Sequence, residues 1–559
     1  MKTFIFILFM LLTGSLSYGQ NRAERLGNNE FHRYNYTEAI ERFEPIRNKS
    51  IDIQRKLAQS HLFLGNISKA ADYYAGIVSS DEKKSQDVWE YAQTLMMLER
   101  YDDARKQLNT FYQLSPDDSR AKRYSQAGSF DADIKAMETN TSIKHLSINN
   151  VQQDFGVSYY DGQVLFASSR QVAADPRDNW VGNQLPYLFP FSAGKSPDGE
   201  MVNPKPFMPD FFEGDYHVGP VVFNKAVNMM AYVVNYEPKS KKGETLNLKL
   251  MVSVLDDGEW SEPVSAPFNS PDYSVGHATF TPDGGTMYFV SDMPGGKGGT
   301  DIYRVSVSPS GVFGIPENVE EINTEGQEMF PFFHQDNRLY FASDGHVGLG
   351  GLDIFYADIS EGRFGEVVNV GTPINSARDD FAIAFNEDGK TGYFSSRRLG
   401  GSGNDDIYYF SVTEPKPEAE PEPIVIVEPE PVVQPEIVKV LDIGPILFDF
   451  DKSNIRPDAA IELDKLVRIM NENPTMVVEI ASHTDCRGSD AYNEVLSKSR
   501  LESTQAYIRQ RITRPERIYG KSYGKTELLN RCDCLTEDPP CTPEEHEVNR
   551  RSEFRIISQ

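Results

Sequence analysis

Thr286-Met287-Tyr288-Phe289-Val290-Ser291-Asp292 leads to Gly296-Lys297-Gly298-Gly299-Thr300-Asp301-Ile302-Tyr303, and the pattern then returns twice. Arg338-Leu339-Tyr340-Phe341-Ala342-Ser343-Asp344 leads to Gly348-Leu349-Gly350-Gly351-Leu352-Asp353-Ile354-Phe355. Thr391-Gly392-Tyr393-Phe394-Ser395-Ser396-Arg397 leads to Gly401-Ser402-Gly403-Asn404-Asp405-Asp406-Ile407-Tyr408. The tyrosines at 288, 340 and 393 are 52 and 53 residues apart, and so are the aspartates at 301, 353 and 406. Two looser copies lie around Val164-Leu165-Phe166-Ala167-Ser168-Ser169 and Met230-Ala231-Tyr232-Val233-Val234. A period near 50 with several short strands per unit predicts an all-β propeller over residues 139–413, of five blades with room for a sixth.

These units resemble the PD40 type of WD40-like repeat, found also in the propeller of TolB, and the Pro282-Asp283-Gly284 turn fits that family. The Gly-x-Gly-Gly-x-Asp loops invite a phosphate-binding reading. No helix N-terminus follows them to hold an anion, and they recur once per unit, so they read as structural loops. The repeated Asp is expected to cap a turn through the backbone.

Residues 20–138 are rich in Ala, Leu, Glu, Lys, Arg and Gln and predict helices. Tyr36-Thr37-Glu38-Ala39, Ile67-Ser68-Lys69-Ala70 and Tyr101-Asp102-Asp103-Ala104 each open an amphipathic segment, with the alanines 31 and 34 residues apart. Phe43, Tyr74 and Leu108 follow four residues later. A small residue with a bulky one at i+4 lets two helices approach closely. The pattern resembles the tetratricopeptide (TPR) repeat, whose stacks form concave surfaces.

The 559 residues carry 56 Lys plus Arg against 83 Asp plus Glu, a formal charge of −27. That balance argues against a nucleic-acid binder, which needs a basic face, and against adhesion to anionic lipid. Lys2, the apolar run Phe4–Leu12 and Ser17-Tyr18-Gly19 read as a secretory signal peptide, residues 1–19, without a lipoprotein cysteine. No later segment has the length and apolarity of a membrane span. The expected location is the periplasm, associated with the outer membrane. Residues 414–439 read as a linker, since Glu414–Glu436 holds seven Pro and seven Glu. Such sequence favours extended polyproline II, about 3.1 Å per residue.

Residues 440–559 return to α/β patterning. Ile446–Phe450 and Met476–Ile480 predict strands, Asp490–Gln510 a helix, and Arg551–Ile557 a last strand. Leu463, Leu466, Val467 and Met470 mark one buried helix face. Four motifs appear in order: Phe448-Asp449-Phe450-Asp451-Lys452-Ser453-Asn454-Ile455, Ser482-His483-Thr484-Asp485-Cys486-Arg487-Gly488, Tyr492-Asn493-x-x-Leu496-Ser497-x-x-Arg500, and Asn549-Arg550-Arg551-Ser552-Glu553. They resemble the OmpA-like domain shared with Pal and MotB. That resemblance implies non-covalent binding of the diaminopimelate of the peptidoglycan stem peptide. The zwitterionic end of diaminopimelate needs a fixed anion and a fixed cation. Asp485 suits the ammonium and Arg500 the carboxylate as a fork. Asn493, Ser497 and Arg500 share one helix face. The loop bearing Phe450 and Asp451 would supply backbone donors, and one of Arg550 and Arg551 would help. Ser482 stands where many members have Gly. The competing reading of Asp485 and Arg500 is a structural ion pair.

The segment Asn530–His546 is an insertion with three cysteines. With Cys486 it allows two disulfides in three connectivities. The expected pairing is Cys534–Cys541 for a short local loop and Cys486–Cys532 beside the binding loop. Zinc, with His546 or His483, is the alternative. Gly520-Lys521-Ser522-Tyr523-Gly524 matches the nucleophile elbow Gly-x-Ser-x-Gly, but lacks an acid-then-His order downstream.

The module order predicts a non-catalytic periplasmic adaptor without cofactor or metal. Peptidoglycan is its expected wall partner, and an envelope protein complex its partner through TPR and propeller. The order resembles the peptidoglycan anchors of type IX secretion and gliding machinery, which usually add a lipobox and a carboxypeptidase-regulatory-like domain not found in this sequence. The alternatives are a propeller-based hydrolase, for which Trp180 and His217 are the non-repeated candidates, or a glycan or muropeptide sensor.

Overall fold

The computed structural model describes residues 22–137, 140–171, 179–180, 184–212, 216–235, 247–413, 443–532, 534 and 541–558. The segments read as signal peptide and linker lie outside the described residues. The chain divides into two compact units, Met1–Glu422 and Pro423–Gln559.

The first unit opens with eight helices: α1 (22–32), α2 (Tyr36–Phe43), α3 (Ile51–Phe63), α4 (Ile67–Val78), α5 (Ser85–Met97), α6 (Tyr101–Leu114), α7 (Ser119–Gln126) and α8 (Phe130–Lys135). The three similar stretches begin α2, α4 and α6. Each follows a turn through a left-handed residue two positions earlier, Tyr34 (φ 59°), Gly65 (φ 76°) and Glu99 (φ 57°). Ala39, Ala70 and Ala104 are completely buried, and Phe43, Tyr74 and Leu108 lie in the core beside them. Consecutive helices pack as pairs, α3 on α4 and α5 on α6.

Among the described residues five antiparallel sheets follow, four of four strands and one of five. Sheet 1 is Asp154–Tyr160, Gln163–Ser168, Phe189–Lys195 and Met201–Pro206. Sheet 2 is Val218–Asn224, Met229–Val234, Lys249–Asp256 and Val264–Ser265, with Glu259–Trp260 beside it. Sheet 3 is Val275–Phe280, Thr286–Ser291, Asp301–Ser306 and Glu317–Asn318. Sheet 4 is Glu328–His334, Arg338–Ser343, Asp353–Ser360 and Arg363–Asn369. Sheet 5 takes Asp380–Phe385, Thr391–Ser396 and Asp406–Val412, and its fourth strand is Thr141–His145, from before sheet 1 in the chain. The first strands of the sheets touch in cyclic order, 1 to 2 to 3 to 4 to 5 and back to 1. Among the described residues the ring therefore closes with five sheets, without the sixth unit that the sequence left room for. Phe289, Phe341 and Phe394, at one position of the repeat, are fully buried. Each contributes about 2–3 kcal/mol.

The repeated loops are used up by the ring itself. Asp301, Asp353 and Asp406 accept from the backbone N–H of Gly298 (3.0 Å), Gly350 (3.2 Å) and Gly403 (3.2 Å). A Cβ on Gly298, Gly350 or Gly403 would lie 2.2, 1.9 or 2.2 Å from the carbonyl oxygen of Gly326, Ala377 or Gln152, each just before the next sheet around the ring. The glycines thus allow each sheet to press on the lead-in of its neighbour. An asparagine completes the joint. Asn323 brackets Ile302, Asn375 brackets Ile354 and Asn149 brackets Ile407, each side chain bonding both the N–H and the C=O of its isoleucine.

The helices sit on the loop side of sheets 3 to 5. Tyr124 Oη donates to the carbonyl of His346 (3.3 Å) and accepts from Gly348 N–H (3.1 Å). Gln93 donates to Asp344 O (3.1 Å), and Ser119 N–H donates to Glu325 (3.1 Å). Val347 packs into the core that Trp89, Phe111 and Tyr124 form.

In the second unit the strands run in the order Ile446–Leu447, Arg551–Ser558, Val477–Ser482, Ile518–Ser522, with the last pair parallel. α9 (Pro457–Glu472) and α10 (Asp490–Arg509) cover the sheet, and Leu463, Leu466 and Met470 enter its core. Gly520 and Ser522 lie in the strand Ile518–Ser522, which runs into a turn at 524–525 and not directly into a helix, so the strand–turn–helix setting of the elbow is not met. Among the described residues no helix is long and apolar enough to cross a membrane.

Candidate functional site

Asp485 follows the strand Val477–Ser482 and is buried. Burial by itself raises its pKa, but the bonds from Arg487 and Arg550 and from the Arg487 backbone N–H outweigh it and hold the carboxyl below the usual range. Arg550 Nη1 lies 3.1 Å from the carboxylate and Arg487 Nε 3.1 Å. The Arg487 guanidinium also covers the exposed Phe450 ring at 4.2 Å.

Arg500 is fully buried on α10. Its three donor nitrogens bond the carbonyls of Lys452 (2.9 Å), His483 (3.1 Å) and Asp449 (3.2 Å). A guanidinium has five N–H groups, so one remains on each terminal nitrogen after these bonds. Burial lowers its pKa to about 10, which leaves it charged at neutral pH. Asp485 and Arg500 therefore do not spend themselves on each other. Arg500 also pins the loop 449–452 to the strand end.

Both residues line one cavity of about 150 Å³, together with Phe450, Asp451, Asn493 and Arg550. Six of the eight predicted site residues thus come together. Asn493 also braces the wall by donating to Arg487 O and Ser489 O, both at 3.1 Å. Ser497 does not line the cavity. Its Oγ accepts from Gly524 N–H (3.0 Å) and donates to Glu494 O (2.9 Å), tying α10 to the adjacent loop. Arg551 points elsewhere as well, to Glu553 Oε1 and to Glu527 O at 3.2 Å, so of the two arginines Arg550 is the one at the site. Ser482 lies outside the cavity and bonds Ser552 across the sheet at 2.5 Å. Sequence reasoning passed over Arg487, Thr484 and Tyr492, which also line the cavity. Arg487 was visible as the position two after Asp485, spaced to fold back on it. Tyr492 Oη bonds Asp451 and fastens the helix start to the loop.

The disulfides are Cys486–Cys534 and Cys532–Cys541, with Cα–Cα distances of 5.7 and 5.9 Å. This corrects the expected Cys534–Cys541 and Cys486–Cys532 pairing. Local closure could not decide between partners seven and nine residues apart, whose entropies differ by about 0.2 kcal/mol. Cys534 takes a left-handed conformation (φ 61°), and Cys532 is buried. The insertion is still tied, through Cys486, beside the loop that bears Asp485 and Arg487. Cys532, Cys541 and Glu545 lie close together, but both sulfurs are in the disulfide and hold no thiolate for a metal.

Trp180 and His217 lie against each other, 5.1 Å between rings, and Trp180 reaches Phe63 of α3 at 6.1 Å. His217 Nδ1 accepts from Leu188 N–H (3.1 Å). This is packing between helices and ring.

The cavity thus sets a buried carboxylate and a buried guanidinium at a strand end of an α/β module. The OmpA family model matches residues 447–539, so the chain carries an OmpA-family domain at its C-terminus. The chain is 34 % identical over 91 residues to the peptidoglycan-associated lipoprotein of Rhizobium meliloti, covering 16 % of this chain and 52 % of that protein. It is 34 % identical over 114 residues to the photosystem I P700 chlorophyll a apoprotein A2 of Gloeobacter violaceus, covering 20 % of this chain and 13 % of that protein. The crystal structure of the peptidoglycan-associated lipoprotein from Burkholderia pseudomallei matches at 19 % identity and TM-score 0.18, over 20 % of this chain and 88 % of that one. The chain spans between 13 % and 57 % of the length of these and similar curated relatives.

Proposed function

We propose that the protein is a non-catalytic periplasmic anchor whose OmpA-family domain holds the diaminopimelate of peptidoglycan. The carrying observation is the pair Asp485 and Arg500 on one cavity of about 150 Å³. That volume is below the usual range for drug-sized ligands, so it suits one small zwitterionic head group. The ligand ammonium replaces Arg487 at Asp485, and the carboxylate takes the two remaining N–H groups of Arg500. In the same reading the ring is a five-bladed β-propeller closed by Thr141–His145, and the helix pairs are TPR-like repeats. The contacts at Tyr124, Gln93 and Ser119 make them a single platform for an envelope protein complex. The module order supports type IX secretion or gliding machinery as that complex.

The test is sedimentation of the oxidised full-length chain with purified diaminopimelate-type peptidoglycan. Wild type is expected in the pellet. Asp485→Ala and Arg500→Lys are expected to weaken binding at least tenfold, because each removes one half of the zwitterion clamp. A well-folded Asp485→Ala protein that pellets like wild type sinks the reading.

A further inference from the structure

The inner edge of the ring carries a repeated irregularity. Each first strand shifts register against its neighbour at the same place, between Phe155 and Ser158, Val218 and Val221, Gly276 and Thr279, Met329 and Phe332, and Phe381 and Ala384. Four of these bulges contain a left-handed residue: Gly156 (φ 71°), His277 (φ 46°), Phe330 (φ 50°) and Ala382 (φ 50°). Only the first is a glycine, so three side chains are held on a costly backbone around the axis. The His277 and Phe330 rings stack at 3.7 Å and 16°, and Phe330 lies 4.9 Å from Phe381.

Next to this aromatic layer the ring encloses a cavity of about 640 Å³, lined from all five first strands. Its wall includes the turns that join first and second strands, such as Asp161–Gly162 and Pro282. The helices contact residues 325 and 344–348, which lie at the other end of those strands. The cavity therefore faces away from the helical repeats. Its size falls in the range of small-ligand sites, about 300–1,000 Å³.

Two polar atoms on its wall lack a partner. Among the described residues neither Nδ1 of His277 nor Nε2 of His334 has a hydrogen bond. His334 is 7 % exposed. Its Nδ1 lies 2.5 Å from Asp336 Oδ1. Nδ1 is thereby engaged, by Asp336 Oδ1 and by the Asp336 backbone N–H at 3.4 Å, and Nε2 is left as a buried ring nitrogen without a hydrogen-bond partner. The rim holds Lys195 and Lys225 against Asp161, Glu387 and Asp388, so it favours no strongly charged ligand. Side-chain amides of Asn224, Gln335 and Asn386 stand among them.

We propose that this cavity binds a short uncharged carbohydrate, its C–H face on the His277–Phe330 stack and a hydroxyl hydrogen-bonded to His334 Nε2. An aromatic stack in the wall, buried ring nitrogens without partners and an amide rim match a ring that is apolar on its face and hydroxylated on its edge. The site is separate from the C-terminal cavity and does not rest on peptidoglycan binding there.

The test is calorimetric titration of the full-length chain with N,N′-diacetylchitobiose and, separately, with unblocked tetra-alanine. Saturable binding of the sugar is expected, weakened at least tenfold in His334→Phe and in Phe330→Gly. The glycine keeps the left-handed backbone and deletes the platform. Asp485→Ala is expected to bind the sugar like wild type. Saturation-transfer NMR on wild type provides a reading that needs no variant, with one face of the sugar ring receiving the transfer. The proposal is overturned by wild type that shows no saturable sugar binding, by tetra-alanine binding as tightly as the sugar, or by both folded ring variants binding like wild type. It is equally overturned if sugar binding disappears in Asp485→Ala, which would move the ligand to the C-terminal domain.

Discussion

Gly296–Gly299 and Gly348–Gly351 share one sequence pattern and live in opposite surroundings. The first loop is exposed, while the second is buried under α5 to α7. In both, an Asp caps the loop and the middle Gly touches the next sheet. The pattern therefore records what ring closure needs and is silent about which loop meets a partner. The difference is carried by the variable positions. Lys297 and Ser402 are exposed in their loops, whereas Leu349 at the same place is 1 % exposed. An apolar residue inside an otherwise polar turn was the available sign that this face is covered.

The largest effect is expected where the shared glycine is also covered. Gly350→Ala places a Cβ 1.9 Å from a backbone oxygen, in a loop held down by Tyr124. We expect a loss of about 4 kcal/mol, above the usual overpacking cost of about 1–3 kcal/mol. Gly298→Ala meets Gly326 O at 2.2 Å, but its exposed loop can move outward, and about 2 kcal/mol is expected. Urea unfolding of the two variants compares them directly. Equal losses would break the contrast between the loops.

The same contrast shows how much of the molecule was legible. The strand period, the loop Asp and the three alanines of the helix pairs could be read because each obeys a local rule: alternation, capping, close approach. At the C-terminal site Asp485, Arg500, Asn493, Phe450, Asp451 and Arg550 were legible from spaced motifs. Arg551 and Ser497 were not separable from them, since neighbours on a strand point to opposite faces and a helix face holds both lining and bracing residues. The asparagines 149, 323 and 375 were overlooked, although each follows an isoleucine and precedes an acid by five residues. The docking of α5 to α7 on sheet 4 and the disulfide pairing were not legible, because both depend on segments brought together from far apart in the chain.

Sheet 4 differs from its neighbours in charge as well. Sheets 1 and 5 begin with Asp154 and Asp380, which pair with Arg170 (2.7 Å) and Arg398 (2.5 Å). Sheet 4 begins with Glu328, and the position of the arginine is Gly345, where a Cβ would lie 1.9 Å from Thr324 Oγ1. Glu328 must rely on Thr324 N–H (2.8 Å), Thr324 Oγ1 (2.7 Å) and Ser343 Oγ (2.7 Å). Burial, with help from Asp344, pushes its pKa up from 4.5 to about 7. A raised carboxyl pKa means that the folded state holds the proton more tightly than the unfolded one. Its contribution is then most favourable below about pH 4.5, falls as pH rises towards 7, and stays lost above that. The full swing is about 3 kcal/mol. Glu328→Gln removes this slope, so the stability gap between variant and wild type should move by about that amount between pH 4 and pH 8. A constant gap would mean that folding leaves the pKa of Glu328 unshifted.

Tyr124→Phe is expected to have the smallest effect, and it isolates the helix-to-sheet joint from the packing around it. The ring stays, edge-on to Phe130 at 5.2 Å and to Trp89 at 5.6 Å. Only the hydroxyl is lost, which strands the Gly348 N–H and the His346 carbonyl in a buried place. Such a loss costs about 1–2 kcal/mol when a partner is left unsatisfied. It should appear in the amide exchange of Gly348 before it appears in global unfolding, because the joint opens at a lower free energy than the ring. Lys297→Ala in the exposed loop serves as the matched control, with no change expected at Gly348. If Gly348 exchange is unaltered in Tyr124→Phe, the burial of this loop is a matter of apolar packing by Leu349 and Val347, and the hydroxyl only fills space.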